Sequence, residues 1–103
     1  MKITFKDLRL DELDEAKKRK LIKIVFGSND FIEDDDLVST SLSRKLKIFF
    51  TSKGYEIDVP NDFFFEIQDD YMAITGTWGD DGDKDFQVML DFQGNIFDHR
   101  VGT

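Results

Sequence analysis

Carboxylates crowd one short segment, Asp81-Gly82-Asp83-Lys84-Asp85, in the pattern that opens a calcium-binding loop. The EF-hand loop takes ligands from its first, third and fifth positions, and it also needs glycine at the sixth and glutamate at the twelfth. Phe86 and Phe92 occupy those two places, and the segment runs into a strand instead of a helix. We therefore expect a solvated hairpin loop here and predict no metal site.

The residues for common catalytic chemistries are missing or badly placed. His99 is the single histidine and cysteine is absent, which excludes two-histidine metal motifs and thiolate chemistry. No G-x-S-x-G context accompanies a serine. A glycosidase needs paired carboxyl groups, one of them in an apolar setting. Glu66, beside Phe64 and Phe65, is the best candidate, but strand parity puts it on the solvated face. We predict a protein without enzymatic activity or cofactor.

A glycine-flanked tryptophan precedes the acidic loop. Gly76-Thr77-Trp78-Gly79 has two glycines but no phosphate-binding pattern, and the aspartates that follow would repel an anion. The glycines indicate a bulge or a close backbone approach. Trp78 is either a core aromatic or a contact residue at the mouth of the loop, and average burial favours the core.

Charge is divided unevenly along the chain. The net charge is −8, yet residues 55–103 hold twelve acidic and two basic side chains, a net charge of −10. This segment disfavours binding to nucleic acid or to an anionic membrane and favours a basic protein partner. The basic run at residues 17–20 would wrap around a helix, which is typical of a solvated surface or of docking onto the protein's own acidic sheet or that of another copy.

Two helices are predicted in the first half. Asp11 is placed to cap the first, with acidic residues in its first turn, basic residues later and Gly27 at its end. The apolar stripe of the second consists of Val38, Leu42, Leu46, Phe49 and Phe50. The acidic run at residues 33–36 precedes this helix, and Lys53-Gly54 ends it. The serine and threonine residues around position 40 favour an irregular or late start.

After Gly54 the hydrophobic period changes to two. Alternating runs begin at Tyr55, Phe63, Met72, Phe86 and Phe97, and turn residues separate them. We therefore predict a single α+β domain over residues 1–103, with a helical part at about 8–54 and a sheet part at about 55–102. Two N-terminal helices pack on one face of a four- to five-stranded antiparallel β-meander. The parity of the last run puts Phe97, His99 and Val101 on the apolar face or at its rim, and the pattern leaves open whether residues 55–59 join the sheet.

The function that fits these patterns is a non-catalytic acidic module that binds a basic, nucleic-acid-handling protein. Small acidic inhibitors, including nuclease-immunity proteins and DNA mimics, bind in this way as a class. The candidate partner-binding residues are Glu66, Asp69, Asp70, Asp80, Asp81, Asp83 and Asp85, with Phe64, Tyr71 and Trp78 as aromatic anchors. The alternatives are a small-molecule-binding domain with a phenylalanine-lined pocket, and a homo-oligomer or homodimer with a structural role. The acids also fit a purely solubilising role.

The composition indicates a folded protein. Hydrophobic residues make up 40% of the sequence and include eleven phenylalanines, which is enough for one core and unlike a disordered chain. No signal peptide and no apolar run long enough for a membrane span is readable. Together with the lack of cysteine, these features predict a cytoplasmic protein.

Overall fold

The computed structural model describes residues 2–30, 32–33, 36–38 and 41–102. In these ranges the elements follow one another as β1 Lys2–Thr4, α1 Glu15–Phe26, β2 Ile32–Glu33, β3 Asp36–Val38, α2 Leu42–Ser52, β4 Asp62–Ile67, β5 Met72–Trp78, β6 Lys84–Leu90 and β7 Ile96–Val101. Strands β4 to β7 form an antiparallel sheet in chain order. The predicted α+β class and the meander are thereby confirmed. None of the helices within these ranges is long and apolar enough to cross a membrane.

Both helices pack on one face of the four-stranded sheet, which we call the inner face; the opposite side is the outer face. Phe26 of α1 lies edge-on to Phe65 of β4, with ring centroids 6.4 Å apart. Phe50 of α2 meets Phe86 of β6 in the same way at 5.4 Å. Edge-to-face contacts of this kind add to the stabilisation from burial. The phenylalanines of the inner face therefore fill the core between the helices and the sheet.

Helix α1 begins later than the sequence predicts. The prediction of Asp11 as its cap is wrong, because Asp14 caps the helix and accepts a hydrogen bond from the Lys17 backbone N–H at 2.8 Å. The residues before Asp14 form turns that bury apolar side chains in the core, namely Phe5, Leu8, Leu10 and Leu13. The predicted end at Gly27 is confirmed, since Gly27 has a φ of 86° and its N–H donates to Lys23 O.

Helix α2 begins at Leu42, which confirms the late start that the serine and threonine residues around position 40 favour. The inclusion of Val38 in its stripe is wrong, because residues 36–38 form β3 and pair with both β1 and β2 in a small antiparallel sheet of order β1-β3-β2. Of the acidic run at residues 33–36, Asp34 and Asp35 lie outside the described residues, and the first turn of α2 holds no acidic residue. The buried stripe is confirmed from Leu42 onwards, and so is the ending at Lys53-Gly54.

The segment between α2 and β4 is extended but is not a strand. Residues 55–60 pair with no strand in the described part of the chain, so the sheet has four strands and the five-strand alternative is excluded. Ile57 anchors the segment in the core at 1% exposure. Lys47 of α2 lies 3.8 Å from the Asp58 carboxylate. The segment therefore closes one side of the core.

Candidate functional site

The outer face carries the side chains that alternate with the core residues of the sheet. They are Asp62, Phe64 and Glu66 on β4, Ala73, Thr75 and Thr77 on β5, Asp85, Gln87 and Met89 on β6, and Asp98 and Arg100 on β7. Its hydrophobic members lie outside the core cluster, but their neighbours cover them: Ala73 is buried at 3% exposure, and Phe64 and Met89 are half-buried. Within the described ranges, both helices lie on the opposite side of the sheet. The outer face is therefore a side of the sheet that neither helix covers.

One cross-strand row gives this face its chemical character. Glu66 pairs with Ala73, Ala73 with Met89, and Met89 with Asp98. Directly opposed residues in antiparallel strands point to the same side of the sheet and lie close together. Buried Ala73 and half-buried Met89 therefore form an apolar centre that carboxylates bound on both sides, across about 14 Å from β4 to β7.

A β-bulge adds an aromatic pair next to this row. The register shifts between Met89 and Leu90, so Phe97 is an extra residue on β7. Phe97 contacts Tyr71 edge-on, with ring centroids 5.5 Å apart, and it remains 58% exposed. The prediction that Phe97 shares the apolar inner face with His99 is wrong, because a bulge reverses the alternation of a strand.

Phe64, a predicted anchor, is partly covered by the protein itself. The Arg9 guanidinium lies 4.1 Å from the centroid of the Phe64 ring. This stacking removes one ring face from solvent and brings a positive charge to the β4 side of the outer face. Phe64 is half-buried as a result.

The predicted acidic residues form two groups at opposite ends of the outer face. Asp69 and Asp70 lie in the turn between β4 and β5, and Asp91 follows β6 at the same end of the sheet. The loop between β5 and β6 holds Asp80, Asp81 and Asp83, and Asp85 lies near the start of β6 at that other end. The seven residues of β5 separate the two ends by about 23 Å. The acids therefore form two groups instead of one, and the apolar centre lies beside the group of Asp69 and Asp70, because Ala73 is the second residue of β5.

The loop at residues 79–83 is anchored by polar contacts around the start of β4. Asn61 Nδ2 donates to Gly79 O at 2.9 Å, and Thr77 Oγ1 donates to Asp62 Oδ1 at 2.8 Å. In the part of the chain that is described, no three acidic or histidine side chains converge as a metal site would require. The arrangement presents carboxylates to solvent on an ordered turn.

Trp78 is separated from the other two predicted anchors. It packs against the core cluster from the inner side, and the Lys84 ammonium lies 4.5 Å from its ring. Its indole N–H is buried without a hydrogen-bond partner among the described residues. The structure therefore brings Tyr71 and Phe64 to the outer face and leaves Trp78 on the other one.

Two titratable groups lie at the rim of the sheet. The Asp91 carboxylate accepts hydrogen bonds from the backbone N–H groups of Asn95 at 2.9 Å and Gln93 at 2.8 Å. These bonds, that of Asn95 first, hold the pKa of Asp91 below its ordinary value. His99 Nδ1 lies 3.4 Å from the Tyr55 hydroxyl. This contact joins exposed His99 at the edge of the sheet to the extended segment between α2 and β4.

Basic residues are concentrated on the helical layer. Helix α1 holds five basic residues and one acidic residue, and α2 holds three basic residues and no acidic one. Within the basic run, Arg19 pairs with Glu15 of the same helix at 3.2 Å, and Lys20 Nζ donates to Gln93 Oε1 in the β6–β7 turn at 2.8 Å. The charge asymmetry of the sequence thus becomes an asymmetry between two layers, with a positive helix layer and a negative sheet layer.

The sequence-based site omits four residues of this part of the outer face, namely Ala73, Met89, Phe97 and Asp98. Ala73, Met89 and Asp98 alternate with inner-face residues, so strand parity alone could have identified them. Phe97 could not have been identified in this way, because nothing in its local sequence announces the bulge. Comparison of the chain with protein-family models, with curated proteins and with solved structures gives no match.

Proposed function

We propose that this protein is a non-catalytic interaction module whose outer sheet face binds a basic protein. The observation that supports this proposal is the row Glu66–Ala73–Met89–Asp98, in which apolar side chains lie between carboxylates. Protein interfaces combine an apolar centre with a polar rim. The Tyr71–Phe97 pair extends the apolar centre, and aromatic side chains of this kind often carry much of the binding energy.

The charge distribution indicates the class of protein partner. A molecule with a positive helix layer and a negative sheet layer approaches a basic surface with its sheet foremost, because the summed field orients it before contact. Such complementarity raises the association rate and excludes acidic competitors. The partner class we propose is a nucleic-acid-handling protein whose lysine- and arginine-lined groove is blocked by this face. The module then acts as an inhibitor of the immunity type.

The experiment is affinity capture from native lysate with this protein as bait, washed at low and at high salt. The matched variant is Asp81→Asn/Asp83→Asn/Asp85→Asn, which removes charge from one end of the outer face. A basic protein retained in stoichiometric amount by the wild type, released by salt and lost by the variant supports the proposal. Capture of no basic protein at low salt refutes it, and equal capture by the variant removes the β5–β6 loop from the interface.

The cellular location belongs to the same proposal. The sequence contains no cysteine, so the fold does not depend on an oxidising compartment. The proposed partner handles nucleic acid, so we expect it in the compartment that contains nucleic acid. We therefore propose a cytoplasmic location, which fractionation of tagged protein tests directly.

A further inference from the structure

Strand β7 is the open edge of the four-stranded sheet. At the opposite edge, the Phe65 N–H of β4 donates to Leu8 O at 2.9 Å, so the turns before α1 cover part of that strand. In the described part of the chain, β7 pairs with β6 alone, and its residues after Ile96 are exposed. An unpaired strand edge is a template for another strand unless something blocks it.

The hydrogen bonds between β7 and β6 show which backbone N–H and C=O groups of β7 face away from the sheet. Gly102 N–H donates to Asp85 O at 2.9 Å, and residues in an antiparallel pair alternate between facing the partner strand and facing away from it. Arg100 therefore faces β6 through its backbone, whereas His99 and Val101 face outward. In agreement with this outward orientation, the His99 N–H donates to the carboxylate of Asp98 at 2.8 Å and not to β6.

The side chains around His99 are arranged to match a second copy of the same strand. Asp98 and Arg100 pair with Met89 and Gln87 on β6, so both point to the outer face. In an antiparallel pair of β7 strands centred on His99, Asp98 lies opposite Arg100 of the second copy. The two-fold axis then repeats this contact. Opposite charges in directly opposed positions stabilise a strand pair, and like charges destabilise it.

Each face of this edge also carries an exposed apolar side chain beside the Asp98-His99-Arg100 triplet. Phe97 is 58% exposed on the outer face, and Val101, which pairs with Phe86, is 40% exposed on the inner face. Charged residues and β-bulges protect the edges of many monomeric sheets, and β7 has both. In β7, however, the bulge precedes the Asp98-His99-Arg100 triplet, and the charges of the triplet are complementary to themselves in an antiparallel pair.

We propose that two copies of this chain dimerise by antiparallel pairing of β7 with β7, centred on His99, to give a continuous eight-stranded sheet. On pairing, the His99 N–H leaves the Asp98 carboxylate and donates to the His99 C=O of the second copy. The released carboxylate meets Arg100 of that copy. This interface goes beyond the partner-binding role of the outer face and does not depend on it.

The test is sedimentation velocity of the full chain from micromolar to millimolar concentration at physiological ionic strength. In the variants Asp98→Arg and Arg100→Asp, residues 98 and 100 carry the same charge, so both symmetry-related contacts of the dimer become repulsive. We expect each variant to weaken dimerisation by about tenfold or more. The double variant Asp98→Arg/Arg100→Asp restores opposite charges, and its dimer should return to near wild-type strength. Far-UV circular dichroism establishes that all variants are folded.

A backbone variant separates edge pairing from other contacts. His99→Pro removes an N–H that faces away from β6 together with the imidazole that contacts Tyr55, so it should abolish the dimer and leave the pairing of β7 with β6 in place. His99→Ala removes the imidazole and keeps the N–H, so it should still dimerise. A wild type that stays monomeric at millimolar concentration overturns the proposal. So does a dimer that survives His99→Pro, or a folded double variant that does not recover.

Discussion

Among single residues, Gly76 is the glycine at which an added methyl group should lower the stability of the fold most. A Cβ atom there would meet the backbone O of Asp62, and it would lie 2.8 Å from the Phe86 ring and 2.9 Å from Phe63 Cα. The close backbone approach predicted from the sequence is thus found between three strands, where neither backbone nor core ring can move away cheaply.

We expect Gly76→Ala to lower the free energy of unfolding by about 2–3 kcal/mol through overpacking. The comparison variant is Gly27→Ala. Gly27 has a φ of 86°, but a Cβ atom added there would have no other atom within 4 Å, so only backbone strain of about 1 kcal/mol opposes it. Urea unfolding of both variants measures the difference. A Gly76→Ala variant that is no less stable than Gly27→Ala contradicts this view of the sheet.

Asp91 should contribute a pH-dependent part of the stability. The backbone N–H groups of Asn95 and Gln93 lower its pKa in the folded state. The contribution is therefore complete above the ordinary carboxyl pKa and is lost as the pH falls through the folded-state pKa. We expect Asp91→Asn to melt below the wild type at neutral pH and to approach it in strong acid. A difference in melting temperature that is constant across this range would contradict the assignment.

At the element scale, helix α1 offers a direct test of where a helix begins. Asp14→Ala removes the hydrogen bond to the Lys17 N–H and should cost about 1 kcal/mol. Asp11→Ala, at an exposed turn position, should change stability by less than about 0.5 kcal/mol. Urea denaturation of the two variants decides between them. A larger loss for Asp11→Ala would restore the cap predicted from the sequence.

The elements that could be predicted are those whose signals are local. Gly27 and Gly54 end their helices through left-handed backbone conformations that glycine favours. The alternating runs from Phe63 onwards become β4 to β7 because each strand pairs with its neighbour in the chain. Strand β3 could not be predicted, since its partners β1 and β2 are non-local and pairing with them overrides the helical pattern that reaches back to Val38.

The candidate site could be predicted in composition but not in arrangement. Parity correctly put Glu66 on the outer face. The division of the acids between two ends follows from hairpin connectivity, because Asp70 and Asp81 lie in successive turns. The exposure of Phe97 depends on a bulge at Leu90, and tertiary geometry of that kind leaves no mark in local hydrophobic periodicity.

In the molecule as a whole, the helix layer and the sheet layer have opposite charge and different structural roles. The helices complete the core and carry the lysines, whereas the sheet presents carboxylates around an apolar centre. A dimer joined at β7 would place two outer faces side by side in one continuous sheet. Such a surface would match a partner that has two basic sites or two-fold symmetry of its own.

The outer face, as we propose, binds the basic partner through its aromatic residues as well as its charge. The dissociation constant of the captured basic protein, measured for wild type and for Phe64→Ala/Tyr71→Ala with its unchanged net charge, separates these two contributions. Ile48→Ala serves as the control, because Ile48 is 67% exposed on α2, away from this face. We predict at least about thirtyfold weaker binding for the double variant and unchanged binding for the control. An unchanged dissociation constant for the double variant would contradict the account.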